Sequence, residues 1–172
     1  EGIVTCGGHQ AHQRAALAYT ALKLMGMENQ IPVVEGSAQQ LHKPQPYEYD
    51  LEGFEASLNR QYPEAQAFLL ETLERLPPKS LIVQIQAGFT DVAQIITSHP
   101  QLFEEKVVSV SIMGGLQQNQ HGEWEPDTSQ NNVFDIEAAR ATYSFCFEHK
   151  VPMTVISSDA VPGVPMALAE QF

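Results

Sequence analysis

Short apolar runs recur along this chain, and each passes through a glycine-rich or polar turn into a stretch with helical spacing. The runs at Gly2 to Cys6, Ile31 to Val34, Leu81 to Ile85, Val107 to Met113 and Val151 to Ile156 have strand length and are rich in β-branched residues. Between them lie helical patterns. Leu17, Ala21, Leu24 and Met25 share one face, with Gly26 placed to end it. Pro63 and Glu64 open a second pattern, in which Ala65, Leu69, Leu73 and Leu76 form a stripe before Pro77 and Pro78. Phe89, Val92, Ala93 and Ile96 mark a third, closing near Pro100, and Asp135 caps a fourth that buries Ala138, Ala139, Thr142, Tyr143 and Cys146.

Strands that are apolar throughout, joined by helices, predict an α/β fold with a mostly parallel sheet and helices on both faces. The 172 residues, 43% of them hydrophobic, suit one core, so a single domain over 1–172 is expected. Two stretches carry no clear period, Ser37 to Arg60 and Leu116 to Phe134, and both read as irregular. Pro165 to Phe172 reads as the start of a helix.

Charge narrows the partners. Nine basic against 21 acidic residues give a formal net charge of −12, which repels phosphate backbones and anionic lipid, so neither nucleic acid nor a membrane surface is expected as a partner. No apolar run reaches spanning length, and the two cysteines, Cys6 and Cys146, lie far apart, as buried thiols of a reducing compartment would. A cytoplasmic location is the expectation.

In parallel sheets, ligands bind beyond the carboxyl ends of the strands. That rule selects Gly7 to His9, Gln86 to Thr90, Gly114 to Asn131 and Ser157 to Gly163. Gly7-Gly8 and Gly114-Gly115 let a ligand or a neighbouring loop approach the backbone, but neither forms a dinucleotide or phosphate-loop motif. His9 and His12 lack the HExxH pattern of a zinc site, and Ser157 to Asp159 lack a nucleophile elbow. His9 stands at a strand exit, where it reads as a sugar or base contact or else as a loop histidine. Glu123 and Asn131 suit sugar hydroxyls, and Trp124 offers a ring for stacking. The five methionines stand singly in apolar patterns and read as core.

Taken in order, these segments resemble the inosine/uridine-preferring nucleoside hydrolase family. Gly2-Ile3-Val4-Thr5-Cys6-Gly7-Gly8-His9 is similar to its GITTVAGN; Ile31-Pro32-Val33 with Gly36 to its IPVxxG; Ala87 to Ala93 to its GPLTNVA; Val110 to Gly115 to the segment ending in VVMGG; and Asp135 to Ala139 to its DPEAA. The likeness covers nearly the whole chain. It implies a calcium ion that activates water for attack on the anomeric carbon of a nucleoside, with Gln86 at the position whose main-chain carbonyl is a calcium ligand.

The same resemblance implies an altered pocket. Gly122 to Asn131 aligns with GNVTPxAEFN, where Glu123 replaces a sugar-binding Asn and Ser129 replaces a sugar-binding Glu. His9 stands where another sugar-binding Asn belongs, Asp91 replaces the Asn of LTN, and Asn131 is retained. The family's aspartate-rich DTDPGxDD signature would precede Glu1, and its late histidine and aspartate would follow Phe172, so the fold is expected to be incomplete at both ends. Two functions stay open: calcium-dependent hydrolysis of the N-glycosidic bond of a ribonucleoside, or a catalytically degenerate binding or assembly module. An open sheet edge also predicts association, as a homo-oligomer or with a complementing chain segment.

Overall fold

A computed structural model describes residues 2–5, 10–37, 52–157 and 160. The first unit is β1 (Ile3–Thr5), α1 (Ala11–Leu24) and β2 (Val33–Glu35), with β1 and β2 parallel and Ile3 opposite Val33. Gly26, at φ +70, ends the helix as expected, because the left-handed conformation costs glycine little. The buried face of α1 is not the expected one. Ala11, Ala15, Ala16, Thr20 and Leu22 are buried, whereas Leu24 and Met25 are 56% and 68% exposed. Small alanine and threonine side chains bring the helix close to the strands, so the buried stripe follows them and the larger residues stay outside.

Of the long excursion after β2, residues 38–51 lie outside the described residues. The rest holds a short helix, α2 (Phe54–Leu58), entered through Gly53 at φ +85. α3 (Ala65–Arg75) follows and stops before the two prolines, as its sequence predicts.

The second unit is a parallel sheet of three strands in the order β3 (Leu81–Ile85), β4 (Val107–Met113), β7 (Met153–Ile156). Between β3 and β4 run α4 (Thr90–Ser98) and α5 (Pro100–Lys106). α4 closes near Pro100, as expected, and Pro100 also begins the next helix, since its missing N–H costs nothing at a first helical position. The stretch read as irregular also has order. It forms an antiparallel hairpin of β5 (Leu116–Gln118) and β6 (Trp124–Pro126), then a short helix, α6 (Gln130–Phe134). Strands of three residues are too short to show a period, which is why the hairpin is hidden in the sequence.

α7 (Ile136–Glu148) leads into β7 and buries all five residues expected of it, Ala138, Ala139, Thr142, Tyr143 and Cys146. Cys146 is a free thiol whose pKa is raised to about 11 by burial, which leaves it unreactive, while Cys6 lies outside the described residues.

Helices flank the parallel sheets, as the sequence predicts. On the three-stranded sheet, Ile85, Val110 and Ile112 pack with Phe89, Ile96, Ala139 and Tyr143 in one core. The register puts Ile82, Ser109, Ser111, Met113, Thr154 and Ile156 on the opposite face, where Ile82 and Met113 are 59% and 46% exposed. Met113, like Met25, is therefore not a core residue among those described. No helix among the described residues is long and apolar enough to cross a membrane.

Asp135 performs the capping role expected of it, and more. Its Oδ1 accepts from the Ala138 N–H at 3.1 Å, and its Oδ2 accepts from the Thr90 hydroxyl at 2.6 Å, so one carboxylate fixes the starts of α4 and α7 together. Asp135→Ala should cost about 2 kcal/mol, a cap plus a hydrogen bond to a charged group, read as a lowered urea midpoint. A midpoint unchanged within error would show that the cap is not formed.

Candidate functional site

Gln86 follows β3 at its carboxyl end, exposed, with its amide donating to Gln84 Oε1 at 3.5 Å. Immediately after it the chain turns inward. Phe89 is fully buried, and Asp91, in the first turn of α4, is 4% exposed. Asp91 Oδ1 accepts from both the N–H of Ser37 at 2.9 Å and its hydroxyl at 2.7 Å. The Gln66 amide adds a bond to the Asp91 carbonyl. Asp91 therefore pins the exit of β2 onto α4.

At the end of β4, Asn131 donates its amide to the Met113 carbonyl at 2.8 Å. Its Oδ1 has no hydrogen-bond partner among the described residues. Beside it, Gly114 and Gly115 make the turn into β5. The close approach that these glycines permit is made by the protein itself. A Cβ on Gly114 would stand 3.0 Å from the Tyr143 hydroxyl and 3.1 Å from Asn132 Oδ1, and one on Gly115 would overlap the Asp127 carboxylate.

Asn132, one of the polar residues that suit sugar hydroxyls by type, is instead part of the interior. It is wholly buried, and its amide donates to the Gly115 carbonyl and to Asp127 Oδ1, each at 2.9 Å. Nothing in its spacing signals burial. Asp127 Oδ1 also accepts from the Ser129 N–H at 2.9 Å. Asn132 Oδ1, Tyr143 Oη and Ser129 Oγ are buried without partners among the described residues. The Tyr143 phenol is pushed well above its usual pKa by burial first, then by the Asp127 charge.

Glu123 and Trp124 sit apart from this cluster, on the hairpin. Asn119 Oδ1 accepts from the N–H groups of His121 and Glu123, and its amide donates to Glu123 Oε2 at 3.0 Å. Trp124 is 56% exposed, opposite Gln118. No described hydrogen bond joins Asn131, Glu123, Trp124 and Gln86 to one another, although all follow the ends of β3 and β4. His9 lies outside the described residues, as do Gly7, Gly8 and 158–159.

A cleft of about 760 Å³ runs along α4 from Thr90 to His99, walled by Gln66 and Leu70 of α3 and by Ala138 and Ala141 of α7. Among the described residues, no group of three or more His, Cys, Asp and Glu side chains could hold a metal ion. A calcium ion takes about six to eight oxygens, so the Gln86 carbonyl alone does not make a site. The described residues do not fit the ion by themselves.

The model of the inosine-uridine preferring nucleoside hydrolase family matches residues 1–170. The chain belongs to that family. Among solved structures, this nucleoside hydrolase family member is similar to the effector protein XOO4466, with 26% identity, a TM-score of 0.76, and coverage of 99% of this chain and 50% of that one. It is also similar to the type III effector protein XopQ complexed with adenosine diphosphate ribose, with 26% identity, a TM-score of 0.72, and coverage of 91% and 48%. The purine-preferring ribonucleoside hydrolase from Gardnerella vaginalis, at 18% identity and a TM-score of 0.61 over 92% of this chain and 52% of that one, shares the fold. The chain spans about half the length of these relatives. No curated protein matches it.

Proposed function

We propose that this chain forms part of a ribose-binding pocket of nucleoside-hydrolase type, which takes a nucleoside or an ADP-ribose-like ligand at the carboxyl ends of β3 and β4. The observation that carries this reading is Asn131, held by its amide on the Met113 carbonyl, with no partner for its acceptor oxygen among the described residues. An amide fixed in this way presents an acceptor to a sugar hydroxyl at little further entropic cost. Family membership and the ADP-ribose bound by a relative support the ligand class. Trp124, exposed on the hairpin, is the proposed ring to stack on a base, with Glu123 and His9 as further contacts.

Hydrolysis of the N-glycosidic bond is the activity we propose for the whole protein. Water adds to the anomeric carbon, the bond to the base breaks, and the base leaves with a proton. Calcium, when bound, would supply the activated water. Gln86 would offer its carbonyl, and the remaining ligands would come from outside the described residues.

One observation favours a second reading, binding without turnover. The Glu123 carboxylate is engaged by Asn119 within the hairpin turn, and the Ser129 hydroxyl is buried. Those are two of the positions to which the family pattern assigns sugar contacts. The full-length protein should be titrated with a nucleoside panel and with ADP-ribose, with calcium or with chelator, while heat and free base are measured. Calcium-dependent base release supports the hydrolase, binding without release supports the second reading, and neither signal sinks both. Asn131→Ala should weaken binding roughly five- to tenfold, the worth of one hydrogen bond.

We also propose that the face carrying Ile82, Met113 and Ile156 is covered by association, with another copy or a complementing chain segment. A stable monomeric peak in size-exclusion chromatography of the 172-residue chain would count against it.

A further inference from the structure

His12, in the first turn of α1, reaches two elements at once. Its Nδ1 lies 2.8 Å from Glu35 Oε2 at the end of β2, and its Nε2 lies 2.8 Å from the Leu58 carbonyl, the last residue of α2. A main-chain carbonyl only accepts, and so does an ionised carboxylate. Both ring nitrogens can donate only in the imidazolium. A neutral ring in either tautomer keeps one bond and sets a lone pair against the other acceptor at 2.8 Å. The carboxylate–imidazole pair is not a poised general base, because Nε2 is already committed to the carbonyl.

We propose that His12 is a proton-operated clamp, whose imidazolium ties the end of α2 to the end of β2 and whose neutral form lets one of them go. Of the other described ties of α2, those of Ser57 are hydroxyl and main-chain bonds that do not titrate near neutrality. Phe54 is buried, Ser57 accepts from the Thr20 hydroxyl at 2.7 Å, and the Tyr62 hydroxyl donates to the Ser57 carbonyl at 2.9 Å.

The charged and titratable surroundings favour the protonated ring. Glu35 faces it from β2, and Glu64 adjoins Glu35 through a main-chain bridge. From the stretch before α3, the Tyr62 ring meets the imidazole edge-on at 5.5 Å. Arg60 is the nearby opposing charge, with its guanidinium 4.3 Å from the Tyr19 ring centre and 6.0 Å from that of Tyr62. Arg14 follows on α1, and Glu55 on α2 is exposed. The His12 pKa is raised above 6.5, first by the bond to the Leu58 carbonyl and then by that to Glu35, against the opposing effect of burial. A raised value means that the clamp is complete below the unfolded pKa of 6.5 and is lost as pH rises through the folded value.

The test is performed on the 172-residue chain by nitrogen-detected imidazole titration and by amide exchange at several pH values, corrected for intrinsic rates. The expected result is a His12 midpoint above 6.5 and a roughly five-fold loss of protection at 54–58 across it, the worth of about one hydrogen bond, with β3 and β4 unchanged. His12→Gln should abolish the step, and Glu35→Gln should lower the midpoint. A midpoint at or below 6.5, or a step that persists in His12→Gln, overturns the proposal. If His12→Gln does not fold, an unchanged midpoint in Glu35→Gln overturns it instead.

Discussion

Phe89→Ala should lose about 3–5 kcal/mol of stability, enough to consume a large share of the ~5–15 kcal/mol that holds a domain of this kind together. Phe89 is fully buried and its ring centre stands 5.5 Å from that of Tyr143, at 45°. It shares the core of Ile85, Ile112 and Ala139, so truncation opens a cavity that three elements would have to move to fill. The residue also sits between Gln86 and Asp91. Without the ring, the turn that sets the Gln86 carbonyl at the end of β3 loses its anchor. Urea denaturation followed by circular dichroism measures the loss, and Phe89→Leu should recover a good part of it by refilling volume. A loss below about 1 kcal/mol in Phe89→Ala would mean that the ring is not packed in a tight core.

What the sequence makes legible here is what period and punctuation encode. The strand and helix alternation, the stop at Gly26, the Asp135 cap and the buried face of α7 all follow from spacing or from a residue with one strong local preference. The failures share a cause as well. The face of α1 is chosen by how closely small residues let it approach, which a hydrophobicity stripe does not register. The hairpin from Leu116 to Pro126 is held by its register and by Asn119 in its turn, not by apolar alternation. Asn132 is buried only because Asp127 and the Gly115 carbonyl meet it in space.

The candidate site divides along the same line. Gln86 and Asn131 are expected from their order in the sequence; Gln86 directly follows β3, and Asn131, in α6, reaches the end of β4 through its amide. The altered positions are legible as substitutions, but their consequences belong to the fold. Ser129 is drawn into the Asp127 network, Glu123 serves a turn, and Asp91 joins β2 to α4. Among the described residues, the side chains of Asp91 and Glu123, which depart from the family pattern, are bonded to this chain itself, and the Ser129 hydroxyl is buried in it.

Gly115→Ala tests the centre of that arrangement, and we expect it to cost about 2–4 kcal/mol, from overpacking and from a buried polar network forced apart. The backbone at Gly115 is outside the left-handed region, so an alanine there is not disfavoured by its own conformation. The cost comes from contact. Its Cβ would overlap the Asp127 carboxylate, whose Oδ1 holds both the Ser129 N–H and the Asn132 amide. The Gly115 carbonyl in turn accepts from the Asp127 N–H at 3.1 Å and from Asn132 at 2.9 Å. Moving Asp127 therefore strains bonds on both sides of the turn and shifts α6, which carries Asn131 to the Met113 carbonyl. Gly114→Ala should cost less, because its nearest contacts, at 3.0 and 3.1 Å, are tight rather than overlapping. Asp127→Ala alone should also destabilise, by stripping buried donors of their acceptor. Combined with Gly115→Ala it should cost clearly less than the sum of the two, since the overlap disappears with the carboxylate. Urea midpoints of the four variants decide the matter, and strict additivity would show that the carboxylate does not occupy the space in front of Gly115.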